Sequence, residues 1–369
     1  MGDNVHTPPL SLWRRGLLYE VALRSPYLRR DPLDASRRSV AIGLVAWAPV
    51  MLLALLEWPT TRHWDPILFS LPLHVRWWIA MPLFFFAEKV VDDRLARMSA
   101  HLRESGLVSG ESEVRLSRLE RQTSDASSSV LIEAGLLVIA IATSVREIQA
   151  ASDLAHTWYA AVSMPLARFI FLRWVERWVF WTVLLLQIAR LELGINAMHP
   201  DRAGGLSALA LPSRALSLVF AAIGSVLSAD MAEHLSPGET LDRHVPSIIT
   251  YAVICGALAA LPLVAFTPAM IRAKRQMLLT FGVFGHTYVR DFQQRWLPSA
   301  KDSPLGSSDI QSLADLGNSH QVVAGMRLVP FPRTFVFQIA AGALLPLLPL
   351  YVHTVSMATL AAQLVKVIF

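Results

Sequence analysis

Charged residues, among them Arg168, Arg173, Glu176 and Arg177, are threaded through the largely apolar run RFIFLRWVERWVFWTVLLLQIARLE, residues 168–192. A guanidinium there can do two kinds of chemistry: pair with a carboxylate to lock neighbouring helices, or coordinate a passing anion. Each charge held near hydrocarbon costs roughly a few kcal/mol, so these side chains must face protein or water. On a helical wheel with Arg168 at zero, Arg190 falls at about 40°, Glu176 at about 80°, Gln187 at about 100°, Arg173 at about 140° and Arg177 at about 180°. Trp174, Trp178 and Trp181 gather between about 220° and 280°. One face is polar and another aromatic, which predicts a polar stripe turned to the interior and a tryptophan face against lipid or a neighbouring helix.

Partners follow from depth. Glu133, one turn into another apolar segment, is expected near the level of Arg190; Glu176 can reach Arg173 on its own helix. Asp230 can meet Arg168 or Arg173. Positive charge left over in the outer half would make an arginine-lined vestibule that favours small anions. The competing reading is structural: long arginines reach the interface, and buried ion pairs fix helix register without transport.

A second cluster of polar residues follows in HPDRAGGL, residues 199–206. Pro200 stops a helix, Asp201 can accept from nearby backbone amides, and Gly204 and Gly205 permit positive φ. His199, Asp201 and Arg202 could serve as a gate or a head-group site; the alternative is a rigid helix-to-helix joint. The glycine spacing fits no nucleotide-binding fingerprint. The single cysteine, Cys255, lies in an apolar run and reads as a small buried hydrophobe. His286, His320 and His353 lack metal-ligand spacing, and no G-x-S-x-G or H-E-x-x-H is present. Neither a catalytic residue, a metal site nor a cofactor is expected, so the chain does not read as an enzyme. Ser308 and Gln311 have capping-box spacing.

Elements that would position these residues come from composition. The 369 residues are 54% hydrophobic and 17% charged, against about 25% charged in soluble domains. Apolar stretches at 39–58, 71–91, 129–145, 158–193, 215–231, 248–270 and 335–353 predict an all-α, polytopic transmembrane bundle of about seven spans. The fourth is expected to be tilted and kinked near Pro165. Trp58, Trp64, Trp77 and Trp78 read as interface anchors. Segments alternating from the N-terminus hold 24 Lys and Arg on one side of the membrane and three, Arg62, Arg146 and Arg243, on the other. That bias places the N-terminus in the cytoplasm.

The chain then divides into a cytoplasmic amphipathic segment (1–38), a transmembrane hairpin (39–91) and a cytoplasmic helical segment (92–128). Helices 3–6 (129–270), a second cytoplasmic helical segment (271–333) and a last span with an apolar C-terminal helix (334–369) follow. Residues 9–23 suit a helix on the leaflet or packed on the loops. No cleavable signal is evident, and no internal repeat. The scattered arginines do not suggest nucleic acid.

FLRWVERW, HPDRAGGL, SSDIQSLADLGNS, MRLVPF and LLPLLPL together resemble a group of bacterial multi-spanning inner-membrane proteins with no assigned activity. The resemblance covers about residue 158 to the C-terminus and implies a bacterial inner-membrane location and an α-helical bundle. Two functions are then expected in competition. One is an oligomeric channel or transporter, possibly for small anions, with the fourth span lining the route. The other is a membrane scaffold or signalling protein that binds a cytoplasmic protein partner. A closed, fully paired charge network would favour the second.

Overall fold

A computed structural model describes residues 10–13, 16–24, 26–27, 34–61, 65–235, 243–297 and 307–354. The described residues are helical, with no strand among them. In chain order the α-helices are α1 (Leu17–Arg24), α2 (Ala35–Ala46), α3 (Ala48–Thr61), α4 (Leu71–Val75), α5 (Met81–Glu104) and α6 (Glu111–Ser127). Next come α7 (Val130–Ala142), α8 (Val145–Ala150), α9 (Leu154–Trp158), α10 (Met164–Ile188) and α11 (Ala210–Glu233). The last are α12 (Val245–Val264), α13 (Thr267–Trp296), α14 (Ser308–Ala324), α15 (Arg333–Leu344) and α16 (Leu348–Thr354).

Among the described residues, four helical stretches are long and apolar enough to cross a membrane: Ala35–Glu57, Leu206–Glu233, Val245–Val264 and Arg333–Tyr351. The pair Glu111–Ser127 and Val130–Ala150, bent by 43°, makes a fifth if it is one span. These mark a membrane protein. The helices through 71–104 and 154–188 carry more charge than an apolar span does, for a reason that emerges at the site below. We call the end of the bundle holding residues 34, 104 and 188 proximal, and the end holding 61, 71 and 154 distal.

The first half of the chain repeats its architecture. Leu71, Arg76 and Met81 open three consecutive pieces: a five-residue α turn, a five-residue π turn and a long α-helix. Leu154, Tyr159 and Met164 open the same three pieces 83 positions later. Met-Pro-Leu begins both long helices (81–83 and 164–166). Pro82 and Pro165 have no N–H to give the carbonyl four residues back and their rings push against it. The turn widens instead: Met81 N–H donates to the Arg76 carbonyl and Met164 N–H to the Tyr159 carbonyl, both five residues back. The duplication lies in helix breaks and proline positions, not in side-chain pattern, which is why the residues alone do not show it.

At the centre, α11 packs on α5 and α15 through small residues. A Cβ on Gly342 would lie 2.7 Å from Ser217 Cβ, and one on Gly224 would lie 2.9 Å from the Ala343 carbonyl oxygen. Small residues let two apolar helices approach closely in lipid, where water cannot drive them together.

Several expectations change. The helix holding the charged run spans 154–188 and not 158–193, although its distortion does lie beside Pro165, and α12 and α13 are separate helices broken at Ala265 and Phe266. Trp77 is wholly buried, so it is a core residue and not an interface anchor; Trp78 is exposed. Ser307, not Ser308, is the N-cap of α14, and it makes no side-chain cap bond. In the N-terminal segment the helix begins only at Leu17, while Leu10, Leu12 and Trp13 are inserted in the core. Arg14, Arg15, Trp64 and the apolar tail after Thr354 lie outside the described residues.

Gly342→Val should lower stability by about 1–3 kcal/mol through overpacking. Gly256→Ala, with open space around its added methyl, should leave it unchanged. Thermal unfolding of both variants in detergent micelles reads the difference.

Candidate functional site

The arginines of α10 are buried as pairs. Arg173 and Arg177, one turn apart, keep 2% and 1% of their side-chain surface, and Glu133 of α7 keeps none. Arg173 Nε donates to Glu133 Oε1 at 3.1 Å, and Arg177 Nη2 donates to the same oxygen at 3.2 Å. On its other side Arg173 Nη1 lies 3.6 Å from Glu88 Oε1 of α5. The second oxygen of Glu88 accepts from Arg38 of α2, whose guanidinium stacks on the Phe85 ring at 4.4 Å. Arg177 Nη1 lies 3.4 Å from Glu176 Oε1. Six charges therefore alternate in one chain, Arg38, Glu88, Arg173, Glu133, Arg177, Glu176. Its formal sum is zero, and it ties α2, α5, α7 and α10 together.

Local structure sets each partner in place. The break at Ser128 and Ser129 leaves the Ser127 carbonyl outside the regular ladder, and Arg177 donates to it. Gly16 adopts φ 104° above the carboxylate; a Cβ there would lie 2.5 Å from Glu133 Oε1. The N-terminal segment is held down by Trp13, whose ring centre is 5.0 Å from that of Trp174, and by Ser124, which donates to the Ser11 carbonyl at 3.1 Å. The void beside Arg177, under Leu12, Trp13 and Trp174, is about 20 Å³. It has room for about one water.

These contacts replace three expected ones. Glu133 meets Arg173 and Arg177 and not Arg190, which is exposed. The reason is depth: α6 packs along α10, so α7 starts well inside the bundle and its first turn lies about three to four turns above the end of α10. Arg168 pairs with Glu147, at 2.5 and 2.8 Å, instead of Asp230. Glu176 reaches Arg177 and not Arg173. Of the two surroundings expected for the tryptophans, neighbouring helices are the one found: Trp174 and Trp181 are buried, and Trp178 donates to the Leu258 carbonyl of α12 at 2.9 Å. The buried face is the seam where the polar and aromatic faces meet. Gln187 and Glu176 sit at its edge, half-buried. Arg38 and Glu88 were not singled out from the sequence, although an acid one turn before the end of a span and an arginine just ahead of another were the available signals.

The HPDRAGGL turn is a joint at the proximal end. Asp201 Oδ1 accepts from the Ala203 and Gly205 amides at 2.7 and 3.1 Å, and Oδ2 from the Ser207 amide at 3.2 Å. His199 Nδ1 lies 2.8 Å from Asp201 Oδ1. Arg202, Gly204 and Gly205 have φ of 54°, 70° and 91°. A side chain on Gly204 would overlap Ile195. Arg327 locks the turn from the far end of α14, its N–H donating to the Arg202 carbonyl and its guanidinium to the Asp201 carbonyl, both at 2.8 Å. Burial pushes the Asp201 carboxyl up, but the three amides and His199 outweigh it and hold the group below the usual aspartate value. His199, Asp201, Arg202, Gly204 and Gly205 thus come together, and the Asp201 carboxylate is spent within the turn.

Two further features were not foreseen. A cavity of about 390 Å³ opens between α10 and α11 at the distal end, with Arg76, Arg168 and Asp230 among its lining. Phe84, on its floor, packs against Trp174 at 6.3 Å and separates it from the ion chain. At the same end Asp65, Asp153 and His156 bring ligating atoms within 4.8 Å, but both aspartates already cap helix turns. No family model matches the chain, and neither a curated protein nor a solved structure matches it.

Glu133→Gln leaves two guanidiniums facing a neutral amide in a buried site, and should cost about 3–5 kcal/mol in denaturant unfolding in micelles. A pH effect follows from Asp201. Because its folded pKa is depressed, its contribution is full above the unfolded value of about 3.9 and is lost as pH falls through the folded value. Hydrogen-exchange protection of the Ala203, Gly205 and Ser207 amides should therefore fall in strong acid, and Asp201→Ala should show low protection at every pH.

Proposed function

We propose that this chain is a seven-span, bacterial inner-membrane protein with a cytoplasmic N-terminus that docks a cytoplasmic protein partner, and that the ion chain of α10 locks the bundle instead of conducting. The two additional spans are the charged helices α5 and α10; the chain of six alternating charges supports that count, since their charges are neutralised inside the bundle. The orientation rests on the arginine and lysine bias, and the location on the resemblance to bacterial inner-membrane proteins.

The observation that carries the docking reading is the hairpin of α13 and α14. After Met270, α13 runs for 26 further residues without a fully buried side chain. One face is covered by α14: Phe281 packs on His320 at 6.4 Å, and Trp296 Nε1 donates to Asp309 Oδ2 at 3.1 Å. The other is bare, with Leu279 and Val283 74% and 73% exposed and Phe284 beside them. Arg275 and Arg290 flank this stripe, both exposed. An apolar stripe with basic flanks suits an amphipathic helix with acidic edges. The ion chain supports the same choice, because Arg173 and Arg177 are each paired with a buried carboxylate beneath Trp13.

A photo-crosslinking residue at Val283 in the full-length protein should capture one partner in cells, and Leu279→Asp should abolish the capture. Proteoliposomes of the purified protein should show chloride flux no greater than empty vesicles. A flux that disappears on Arg173→Ala or Arg177→Ala would overturn this reading in favour of transport along α10.

A further inference from the structure

The distal cavity between α10 and α11 has the chemistry of an amphiphile site. Its walls are apolar, formed by Met81, Phe84, Ala167, Ile223 and Val226 among others. Its rim is charged. Its volume, about 390 Å³, falls within the common range for ligand pockets, about 300–1,000 Å³. Phe171 and Asp230 on the rim are exposed, so the cavity opens sideways at the level of one leaflet.

The rim charges are unequal in their partners. Arg168 is bound bidentately by Glu147. Arg76 instead donates to neutral acceptors, the Tyr159 hydroxyl at 2.6 Å and the Met164 sulfur at 3.0 Å. No ion pair of Arg76 occurs among the described residues; Glu147, which feels its charge from beyond ion-pair distance, is itself clamped on Arg168. A guanidinium held at a membrane helix by neutral groups is costly unless an anion or water completes its shell. Asp230 stands at the same rim as an exposed carboxylate at the distal end of α11.

The backbone supplies a second, independent mark. Arg76 opens one π turn and Tyr159 opens the other, so the residues that meet at the rim hold equivalent positions in the two repeats. Single π turns within α-helices recur at functional sites, where they re-aim a side chain. In membrane proteins built from repeats, sites lie at the repeat interface beside interrupted helices. Both conditions meet at this rim.

We propose that the groove binds one zwitterionic phospholipid from the leaflet at the distal face. Its phosphate sits on Arg76, its ammonium faces Asp230 and one acyl chain fills the slot between α10 and α11. The pairing of a cation and an anion at one mouth selects ethanolamine-type heads over glycerol-type ones. The apolar slot below excludes free phosphate as the natural occupant. The site stands apart from the docking reading: loss of partner capture at α13 would leave it untouched.

The test uses full-length protein reconstituted with equal amounts of dioleoyl phosphatidylethanolamine and dioleoyl phosphatidylglycerol, released into mild detergent for native mass spectrometry. The wild type should retain one lipid, mainly the ethanolamine species. Arg76→Gln should reduce retention of either lipid about tenfold, the scale of one charge-assisted bond, while Arg76→Lys keeps part of it. Asp230→Asn, at an exposed position, should keep the lipid but lose the headgroup preference. Val226→Phe should block the slot without touching a charge. The thermal transition of each variant identifies any that fail to fold, and Asp230→Asn serves if the Arg76 variants do. Lipid number and preference equal to the wild type in both Arg76→Gln and Asp230→Asn would overturn the proposal.

Discussion

One carboxylate, that of Glu133, sits between two guanidiniums that no solvent reaches, and the bundle is arranged around keeping it there. Burying a single charge is prohibitive, and burying a pair often breaks even at best. Six alternating charges do better, because each interior member has an opposite charge on both sides and the sum is zero. The requirement propagates outward. It needs a break in the helix before α7 to free the Ser127 carbonyl, a glycine above the carboxylate at position 16, and Trp13 packed at a tilt against Trp174 to close the top. It also explains how α5 and α10 can carry charges no apolar span would hold: their charges are addressed to each other through α2 and α7.

The repeated architecture gives that arrangement its frame. Two helices, each widened by a π turn ahead of Met-Pro-Leu, run side by side with their distorted ends together at the distal face. The same proline chemistry that prevents an ordinary helical ladder there leaves Arg76 and Tyr159 facing each other and opens the slot toward α11. Proximally, the joint at Asp201 and the end of α14 fasten the exit of α10 to the start of α13. The molecule is locked at one level by charges and at another by backbone amides, while the distal groove and the α13 face remain uncommitted.

How much of this the residues reveal depends on the range of the interaction. Helicity and the spans at 39–58, 215–231 and 335–353 follow from local hydropathy and correspond to helices of the right length, while the one expected at 248–270 ends early, at Val264. Asp201 and the glycines of HPDRAGGL act within a few positions of themselves, so their turn is legible. The burial of Arg173 and Arg177 follows from spacing, since residues four apart share a helix face. Their partners do not: Glu88 and Arg38 belong to other helices, and Glu133 was set at the wrong depth because the α6–α7 break lies inside the bundle. The wheel separates polar from aromatic but cannot say that the seam between them is the buried face. The π turns were within reach, since Pro82 and Pro165 each follow Met, but their 83-residue spacing shows in backbone form and not in side chains.

The central claim is that the ion chain is dry and closed. Water-edited solid-state NMR of the protein in bilayers, with 15N-labelled arginine assigned at Arg173 and Arg177, tests it directly. The account predicts slow magnetisation transfer from water to both guanidiniums, as slow as to core amides and much slower than to exposed Arg190. Transfer to Arg173 and Arg177 as fast as to Arg190 would mean that water runs along α10, and would contradict it.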